Sequence, residues 1–235
     1  MKIGLLADIH GNYCAFRAIL DFLNKRVQKF FFAGDLVGYY PFVHECLALW
    51  DSQKIMSVRG NHDQMLLDYT RDDIASNSLY QQHFGNALMR SQKNLTTEDF
   101  NIMSSWSRAQ TIKLNGLKLA IFHGAPWDEL EGRVYPDFNE WNRFNDVSAD
   151  IIVMGHTHYP FSKKWRNKII VNPGSVGQPR NEHGAFAFCS EIDLRTMDIT
   201  QHRIAYDAGE IIHDSRVHGS KKLNLEKCLI ACGKK

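Results

Sequence analysis

The sequence carries a set of polar side chains whose types and spacing suit the binding of divalent metal ions. Carboxylates, imidazoles and one amide each lie in a short segment with glycine, and the set is Asp8, His10, Asp35, Asn61, His62, His123, His156 and His158. Ligands of these types, without thiolates, favour ions such as Mn, Fe or Zn. The set is too large for one tetrahedral ion and about sufficient for two. Two ions about 3.5–4 Å apart lower the pKa of a bridging water and clamp a phosphoryl group.

The segment Arg59-Gly60-Asn61-His62-Asp63 combines two different chemical roles. Asn61 offers an uncharged amide oxygen, and His62 offers an imidazole that can donate a proton near neutral pH. We expect Gly60 to allow a sharp turn after the preceding apolar run. Alone, such a segment is typical of a turn with a helix cap, so its significance comes from the four other segments with the same plan.

Predicted strands place many of these side chains at one edge of a sheet. Apolar runs at 2–7, 27–33 and 54–58 indicate buried strands, and the runs at 13–24 and 41–50, the second led by Pro41, indicate helices between them. This alternation favours an α/β fold with parallel strands. Ligands bind such sheets beyond the carboxyl ends of the strands, which is where the sequence places Asp8, His10, Asp35, Asn61 and His62.

The remainder of the chain predicts further elements within a single domain over 1–235. Helical patterns at 78–94 and 96–106 make 64–107 a helical insertion or a cap over the site. Asn115-Gly116 and Arg166-Asn167 indicate two hairpins. Other predicted elements are a short helix at 137–144, strands at 150–154, 185–194 and 197–205, and a helix at 207–218. The tail at 221–235 is either a docked helix or an interaction tail.

The composition is that of an ordinary globular protein: 235 residues, 44% hydrophobic and 23% charged, with a net charge of +2. This charge predicts no dedicated nucleic-acid surface. Five cysteines in scattered positions argue against a disulfide framework and favour a reducing compartment. We expect neither a signal peptide nor a membrane span, because no apolar run reaches about 20 residues. The predicted location is therefore cytoplasmic.

Five motifs resemble, in order and spacing, the signature of the calcineurin-like metallophosphoesterases: Asp8-Ile9-His10, Gly34-Asp35, Gly60-Asn61-His62-Asp63, His123-Gly124 and Gly155-His156-Thr157-His158. The match extends from the N-terminus to about Arg180. The segments 8–12, 34–38 and 172–180 further look like a small bacterial and archaeal phosphodiesterase-like branch. The resemblance implies two mixed β-sheets packed as a sandwich and flanked by helices, an αββα fold, with a centre of two metal ions.

The resemblance also assigns roles to individual side chains. The two ligand sets, which share Asp35 as a bridge, would be Asp8, His10, Asp35 and His158 for one ion and Asp35, Asn61, His123 and His156 for the other. His62 would not bind metal but would protonate the leaving oxygen or stabilise the transition state. Candidate phosphate contacts are Asn12, Arg59 and Arg180, since arginine binds phosphate in a bidentate manner; a structural ion pair is the alternative for Arg59.

One departure from the family pattern bears on the substrate. Protein phosphatases of this superfamily continue the second motif with an Asp-Arg-Gly, which supplies an acid that orients the catalytic histidine and an arginine for phosphate. Here the corresponding places are Gly38-Tyr39-Tyr40. The departure disfavours a phosphoprotein phosphatase and leaves the residue that orients His62 unidentified.

The function predicted from the sequence is that of a metal-dependent phosphoesterase acting on small phosphate esters, diesters more than monoesters. A metal-bridging hydroxide would attack phosphorus in line with the leaving group. Manganese is the expected metal, with iron, zinc or nickel as alternatives. A nucleotide polyphosphate hydrolase and a phosphomonoesterase are alternatives of the same class. A non-catalytic protein-interaction scaffold on the same fold is an alternative of another class, and a homo-oligomer stays open.

Overall fold

The computed structural model describes residues 1–51, 53–69, 86–180 and 184–218, and in these residues ten strands form two five-stranded sheets. The first sheet has the order β10-β9-β1-β2-β3. Its strands are β1 (Lys2–Leu6), β2 (Lys29–Phe32), β3 (Ile55–Ser57), β9 (Phe186–Asp193) and β10 (Asp198–Ala205). β1, β2 and β3 are parallel, and β9 and β10 complete the sheet in antiparallel pairing. The sheet is therefore mixed, as predicted.

The second sheet has the order β4-β5-β6-β8-β7. Its strands are β4 (Ala109–Leu114), β5 (Leu117–Phe122), β6 (Ile151–Val153), β7 (Phe161–Trp165) and β8 (Lys168–Asn172). Both predicted hairpins form, β4 with β5 around Asn115-Gly116 and β7 with β8 around Arg166-Asn167. The three inner strands β5, β6 and β8 run parallel. Their carboxyl ends define the edge at which the histidine-bearing loops emerge.

The described helices connect these strands or follow them. They are α1 (Tyr13–Leu23), α2 (Val43–Ala48), α3 (Asn61–Tyr69), α4 (Ala87–Asn94), α5 (Thr97–Ser104) and α6 (Gly209–His218), together with a 3-10 turn at Trp141–Phe144. The Thr96 side chain caps α5, and Asp99 completes a capping box. No helix of the described residues has both the length and the apolar character that crossing a bilayer requires.

Two predicted helices differ from the structure in their bounds, and two other predicted segments lie partly or wholly outside the described residues. Pro41 does not open α2, which begins at Val43 after the cap residue Phe42. The helix expected at 137–144 is reduced to the 3-10 turn at Trp141–Phe144, because aromatic packing of this segment determines its path more than helix propensity does. Of the helix expected at 78–94, only the part from Ala87 falls in the described residues, and the tail at 221–235 lies outside them.

Consecutive phenylalanines show how the sandwich is packed. Phe31 lies in the apolar layer between the two sheets, where it joins Leu5, Ile121 and Val153. Phe30 and Phe32 point to the opposite face of the first sheet, where they pack against helix α1. Successive side chains of a strand alternate between its two faces, so this run of three contributes to both layers. Each fully buried side chain of this kind contributes about 1.5–3 kcal/mol.

The two outer faces of the sandwich are covered differently. The first sheet is covered by α1, whose Phe16, Ile19, Leu20 and Leu23 are buried, and by α2. The second sheet is covered by an aromatic layer, which we define as Trp127, Phe138, Trp141 and Phe144, and which packs on the outward-facing Ile152 and Ile170. Both covers leave the carboxyl ends of the inner strands open to loops, and the polar motifs lie in those loops.

Candidate metal centre

Five loops meet at the carboxyl ends of β1, β2, β3, β5 and β6, and all the predicted ligands lie there, buried. Two groups of three side chains each place their ligand atoms within 4.8 Å of one another, and they are Asp8, His10 and His158 and, separately, Asp35, His123 and His156. Asn61 joins the second group, because its Oδ1 lies 2.9 Å from His123 Nε2. The folded chain thus brings together the residues of both predicted ligand sets.

Asp35 lies between the two groups. Its Oδ2 is 3.3 Å from His123 Nε2 on one side and 3.8 Å from His10 Nε2 on the other. The same oxygen is 3.9 Å from His62 Nε2. His10, Asp35 and His62 also form a compact ligand group, so proximity alone would allow His62 to bind metal. The central position of Asp35 is the one that a bridging carboxylate requires.

Backbone carbonyls orient three of the imidazoles. The Nδ1 atoms of His10, His123 and His158 bond to the carbonyls of Val37, Ala33 and Gln178, at 2.8, 2.8 and 2.6 Å. A carbonyl can only accept, so each Nδ1 carries the proton and donates it. In the neutral ring, each Nε2 then presents a lone pair to the centre. Hydrogen bonds of this kind, made by the nitrogen that faces away from the metal, fix the ring orientation of metal-ligating histidines.

The donor set fits divalent cations. His10 Nε2 and His158 Nε2 lie 3.1 Å apart, and burial lowers the pKa of both, that of His10 to about 3. Two lone pairs therefore face each other, an arrangement that a cation between them stabilises. Asp8 Oδ2 is buried with no hydrogen-bond partner among the described residues. Burial raises the pKa of Asp8 to about 8, which a cation at this oxygen would reverse.

The charges of the second group are arranged around Asp35. Burial raises the pKa of Asp35, but His123, then His62 and His10, outweigh that effect and hold it well below its usual range. Burial also disfavours a charged His123, yet the Asp35 carboxylate, with help from Asp8, raises the pKa of His123 to about 9. A ligating imidazole must be neutral, so a divalent ion at His123 would displace this proton.

Comparison with known proteins agrees with this geometry. The family model of the calcineurin-like phosphoesterase superfamily domain matches residues 1–193. The chain belongs to the calcineurin-like phosphoesterase superfamily. Hydrolysis of phosphate esters with the help of divalent ions follows from this membership together with the His and Asp groups described above.

Several relatives of this superfamily member extend over nearly its full length. Uncharacterized protein MJ0912 of Methanocaldococcus jannaschii is 29% identical over 222 residues, which cover 87% of this chain and 88% of that protein. A metallophosphoesterase from Sphaerobacter thermophilus is 23% identical, with a TM-score of 0.79 over 97% of this chain and 100% of that chain. Hypothetical protein PH1004 from Pyrococcus horikoshii OT3 is 19% identical, with a TM-score of 0.80 over 97% of both chains. The two structures show that the fold is shared.

Backbone geometry sets this phosphoesterase centre apart from ordinary loops. Five of the ligands have positive φ angles of 52–65°, and they are Asp8, His10, Asp35, His156 and His158. Such conformations are uncommon for residues other than glycine, although Asp and His tolerate them best. The sequence predicts a sharp turn at Gly60, but the structure shows that a glycine is needed there because a side chain would not fit. A Cβ there would lie 2.1 Å from Asp35 Oδ1, so the glycine permits the Asp35 carboxylate to approach.

Asp63 is a functional residue whose role the sequence analysis missed. Its carboxylate accepts hydrogen bonds from the backbone N–H groups of Asp35, Leu36, Val37 and Gly60, at 2.8–3.1 Å. Burial, then the charge of Asp35, raises the pKa of Asp63 to about 6, against the effect of these donors. Asp63 therefore fixes the loop that carries Asp35. Its place directly after His62 was visible, but its long-range backbone partners were not.

Tyr39 belongs to the segment that replaces the Asp-Arg-Gly expected in protein phosphatases of the superfamily. Its ring lies 4.6 Å from the ring of His10 and 5.6 Å from that of His62, centroid to centroid. Arg180 Nη2 donates to the Tyr39 hydroxyl at 3.3 Å. Arg180 thereby reaches the edge of the centre. There its charge opposes the rise that burial causes in the pKa of Asp8 and adds to the fall that burial causes in the pKa of His158.

The other two predicted phosphate contacts have structural partners. Asn12 caps α1 through Oδ1, and its amide donates to the Gly177 carbonyl and the Tyr206 hydroxyl, each at 2.9 Å. Arg59 donates to Gln64 Oε1 at 3.0 Å and to the Ser104 carbonyl at 2.9 Å. These bonds join α3 to the end of α5 through uncharged acceptors. Their contacts with phosphate stay predictions.

Proposed function

We propose that this chain is a phosphodiesterase that works with two divalent cations, with manganese as the favoured metal. The observation that carries the proposal is the pair of ligand groups on either side of Asp35, each composed of oxygen and nitrogen donors. When bound, two such ions lower the pKa of a water molecule and hold the phosphoryl group for in-line attack. Asp8, His10 and His158 would hold one ion, and Asn61, His123 and His156 the other.

His62 is the residue best placed to handle the leaving group. It lies beside the shared carboxylate, with Nε2 3.9 Å from Asp35 Oδ2. Burial lowers its pKa, and Asp35 opposes that shift, so the ring is mainly neutral at pH 7. The negative charge of a bound phosphate favours protonation of a neighbouring imidazole. In our proposal, His62 therefore donates its proton to the leaving oxygen only after the substrate has bound.

The preference for diesters rests on the surroundings of His62. The Tyr39 ring packs beside His10 and His62, where a protein phosphatase of this superfamily would carry acidic and cationic side chains. A phosphodiester has one negative charge and an apolar or sugar group on each side, so it needs less cationic contact than a monoester dianion. Arg180 supplies one such contact at the Tyr39 hydroxyl. The proposed substrate is therefore a small phosphodiester.

The test compares hydrolysis of bis-p-nitrophenyl phosphate and p-nitrophenyl phosphate by chelator-treated protein, with and without added Mn, and measures bound metal by mass spectrometry. Manganese-dependent cleavage that is faster on the diester would support the whole proposal. Faster cleavage of the monoester would keep the centre but replace the substrate class. Full turnover by verified metal-free protein would overturn the metal-dependent mechanism.

A cytoplasmic location belongs to the same proposal. Cys14, Cys46 and Cys189 are buried free thiols in the described part of the chain. Free thiols are typical of a reducing compartment, where small phosphate esters also occur. Fractionation of the native host cells, followed by detection of the protein with an antibody, tests the location directly.

A further inference from the structure

Arg133 lies against the second ligand group, at a place to which the sequence analysis assigned no function. Its Nε donates to His156 Nε2 at 3.1 Å, while His156 Nδ1 faces the centre, 3.2 Å from His123 Nε2. The Arg133 side chain is 58% exposed. Its guanidinium group is therefore held by His156 at Nε and by the Glu131 carboxylate at Nη2, 3.8 Å away, and is open to solvent elsewhere, directly beside a predicted metal ligand.

The loop that carries Arg133 is firmly fixed. Gly132 N donates to the Asp128 carbonyl at 3.1 Å, and a Cβ on Gly132 would lie 2.6 Å from that same oxygen. Val134, on the other side of Arg133, is buried in the core of the second sheet. Because both neighbours are immobilised, the guanidinium projects from a rigid support, which is the condition for precise binding of a ligand.

The proton on His156 determines what Arg133 can do. An Arg133 Nε–H can donate to His156 Nε2 only while that nitrogen has a free lone pair. If His156 binds a metal ion through Nδ1, the neutral ring carries its proton on Nε2, and two N–H groups would then face each other. The Glu131 carboxylate lies 3.7 Å from the same Nε2 and can accept that proton's hydrogen bond. A carboxylate in this position is a common partner of metal-ligating histidine.

We infer that Arg133 is a substrate-binding residue, and that Glu131 replaces it on His156 when His156 ligates a metal ion. The freed guanidinium then binds an anionic oxygen of the substrate next to the second ligand group. This inference rests on the proposed function and adds to it. Arg180 lies at the Tyr39 and His158 side of the centre, so the two arginines would hold a substrate from two sides.

The positions of the Arg133 and Arg180 side chains favour a particular class of substrate. A simple diester has one anionic phosphate, which the ions themselves would hold. A diester that carries a second phosphate would gain a charge-assisted, bidentate contact from Arg133 at that phosphate. We therefore assign to Arg133 the preference for substrates that carry an additional phosphate beside the one that reacts.

The first experiment measures the binding of methylenediphosphonate, a non-hydrolysable probe with two phosphorus groups, to manganese-loaded protein by calorimetry, so that its outcome does not depend on turnover. Arg133→Ala should weaken the binding of this probe about tenfold to hundredfold, and Arg133→Lys should restore part of it. Arg195→Ala is the matched control and should leave binding unchanged. Arg195 is exposed in the turn between β9 and β10, at the end of the sheet where β1 begins.

The second experiment separates the two side chains through manganese affinity. Glu131→Gln should weaken it about 10- to 100-fold at one site, whereas Arg133→Ala should leave it unchanged or raise it slightly. For a substrate with a second phosphate, Arg133→Ala should raise KM with little change in kcat. Unchanged affinity for methylenediphosphonate in Arg133→Ala, or equal loss of manganese in both variants, would overturn the inference. Failure of wild-type hydrolysis with intact, Arg133-dependent binding of methylenediphosphonate would instead overturn the proposed function alone.

Discussion

The loops of the two sheets contribute different chemistry to one centre. Those of the first sheet contribute both carboxylates, Asp8 and Asp35, together with Asn61 and one imidazole, His10. Those of the second contribute only imidazoles, His123, His156 and His158. A divalent cation in a buried site needs compensating negative charge, and neutral imidazoles do not provide it. In the proposed centre, the first sheet would thus supply the charge that attracts divalent ions, and the second would complete their coordination.

The two sheets also differ in how their loops are held. On the first sheet, the Asp63 carboxylate accepts four backbone N–H groups around Asp35. On the second, the Asn172 amide donates to the Gly155 carbonyl at 2.7 Å and accepts from Gly174 N at 2.9 Å. A charged acceptor forms stronger hydrogen bonds than a neutral amide does. We therefore expect the first sheet to be the more sensitive to substitution, in metal binding, catalysis and stability.

The largest effect is expected from Asp35→Asn, which removes the charge that both ligand groups share. Metal content measured by mass spectrometry should fall for both ions, and hydrolysis should be abolished. His156→Ala, which removes a neutral ligand from one group, should lower the metal content by less. Equal losses of metal in the two variants would break the comparison between the sheets.

The next effect concerns His62, the catalytic residue proposed on the first sheet. His62→Ala should lower kcat about 10²- to 10⁴-fold for esters with poor leaving groups. The loss should be much smaller for p-nitrophenyl esters, whose leaving group needs no proton. Steady-state kinetics on an alkyl and an aryl ester measure both values. Equal losses on the two esters would remove the role as an acid.

Asp63→Asn should be the most destabilising of these loop substitutions. The amide would place its NH₂ against two backbone N–H donors that the carboxylate now accepts. We expect a loss of about 3 kcal/mol in the free energy of unfolding, since several buried donors lose their partners. Urea denaturation of metal-free protein measures it. Asp68→Asn, farther along α3 with a side-chain bond to Gln64, is the control and should cost little.

The first sheet was also the easier part of the fold to predict. β1, β2 and β3 are separated by helices, and the apolar face of α1 could be identified by its spacing, including Phe16, Ile19 and Leu23. The layer over the second sheet contains little regular structure. Its aromatic residues pack by stacking, as Trp127 and Phe138 do with ring centroids 5.8 Å apart, and their sequence has no helical or strand period. Hence the helix expected at 137–144 was wrong in length.

The ligands of the centre were predictable by type, but their geometry was not. Glycine beside each motif indicated tight loops, and the order of strands placed the motifs at one edge. The positive φ angles of Asp8, His10, Asp35, His156 and His158 could not be predicted, because local propensity disfavours them by about 1–2 kcal/mol each. Long-range bonds, such as those of Asp63 and the contact between Arg133 and His156, maintain conformations that the local sequence does not encode.

A smaller effect is expected from Asn172→Ala, the counterpart of Asp63 on the second sheet. Its loss leaves the Gly174 N–H and the Gly155 carbonyl without these bonds, at a cost of about 1–3 kcal/mol. Asn142→Ala, at an exposed position of the 3-10 turn, is the control. Urea denaturation should rank Asp63→Asn above Asn172→Ala. The reverse order would show that the second sheet depends more on its buried amide than the first does on its carboxylate.

The smallest effect is a pH dependence in the helical layer of the first sheet, where His44 Nδ1 of α2 bonds to Asp99 Oδ2 of α5 at 2.8 Å. This bond raises the pKa of His44. A histidine whose pKa is raised by folding stabilises the folded state fully at pH values below its pKa in the unfolded chain, near 6.5. This stabilisation is lost as the pH rises through the pKa of His44 in the folded protein. His44→Gln should therefore cost stability at pH 5.5 but not at pH 9. Because His44 is 46% exposed, solvent screening limits the difference to under about 1 kcal/mol.

Urea denaturation at both pH values measures this difference, with His213→Gln on α6 as the control. A pH-independent difference would mean that His44 joins the two helices by packing, as the aromatic layer does on the second sheet.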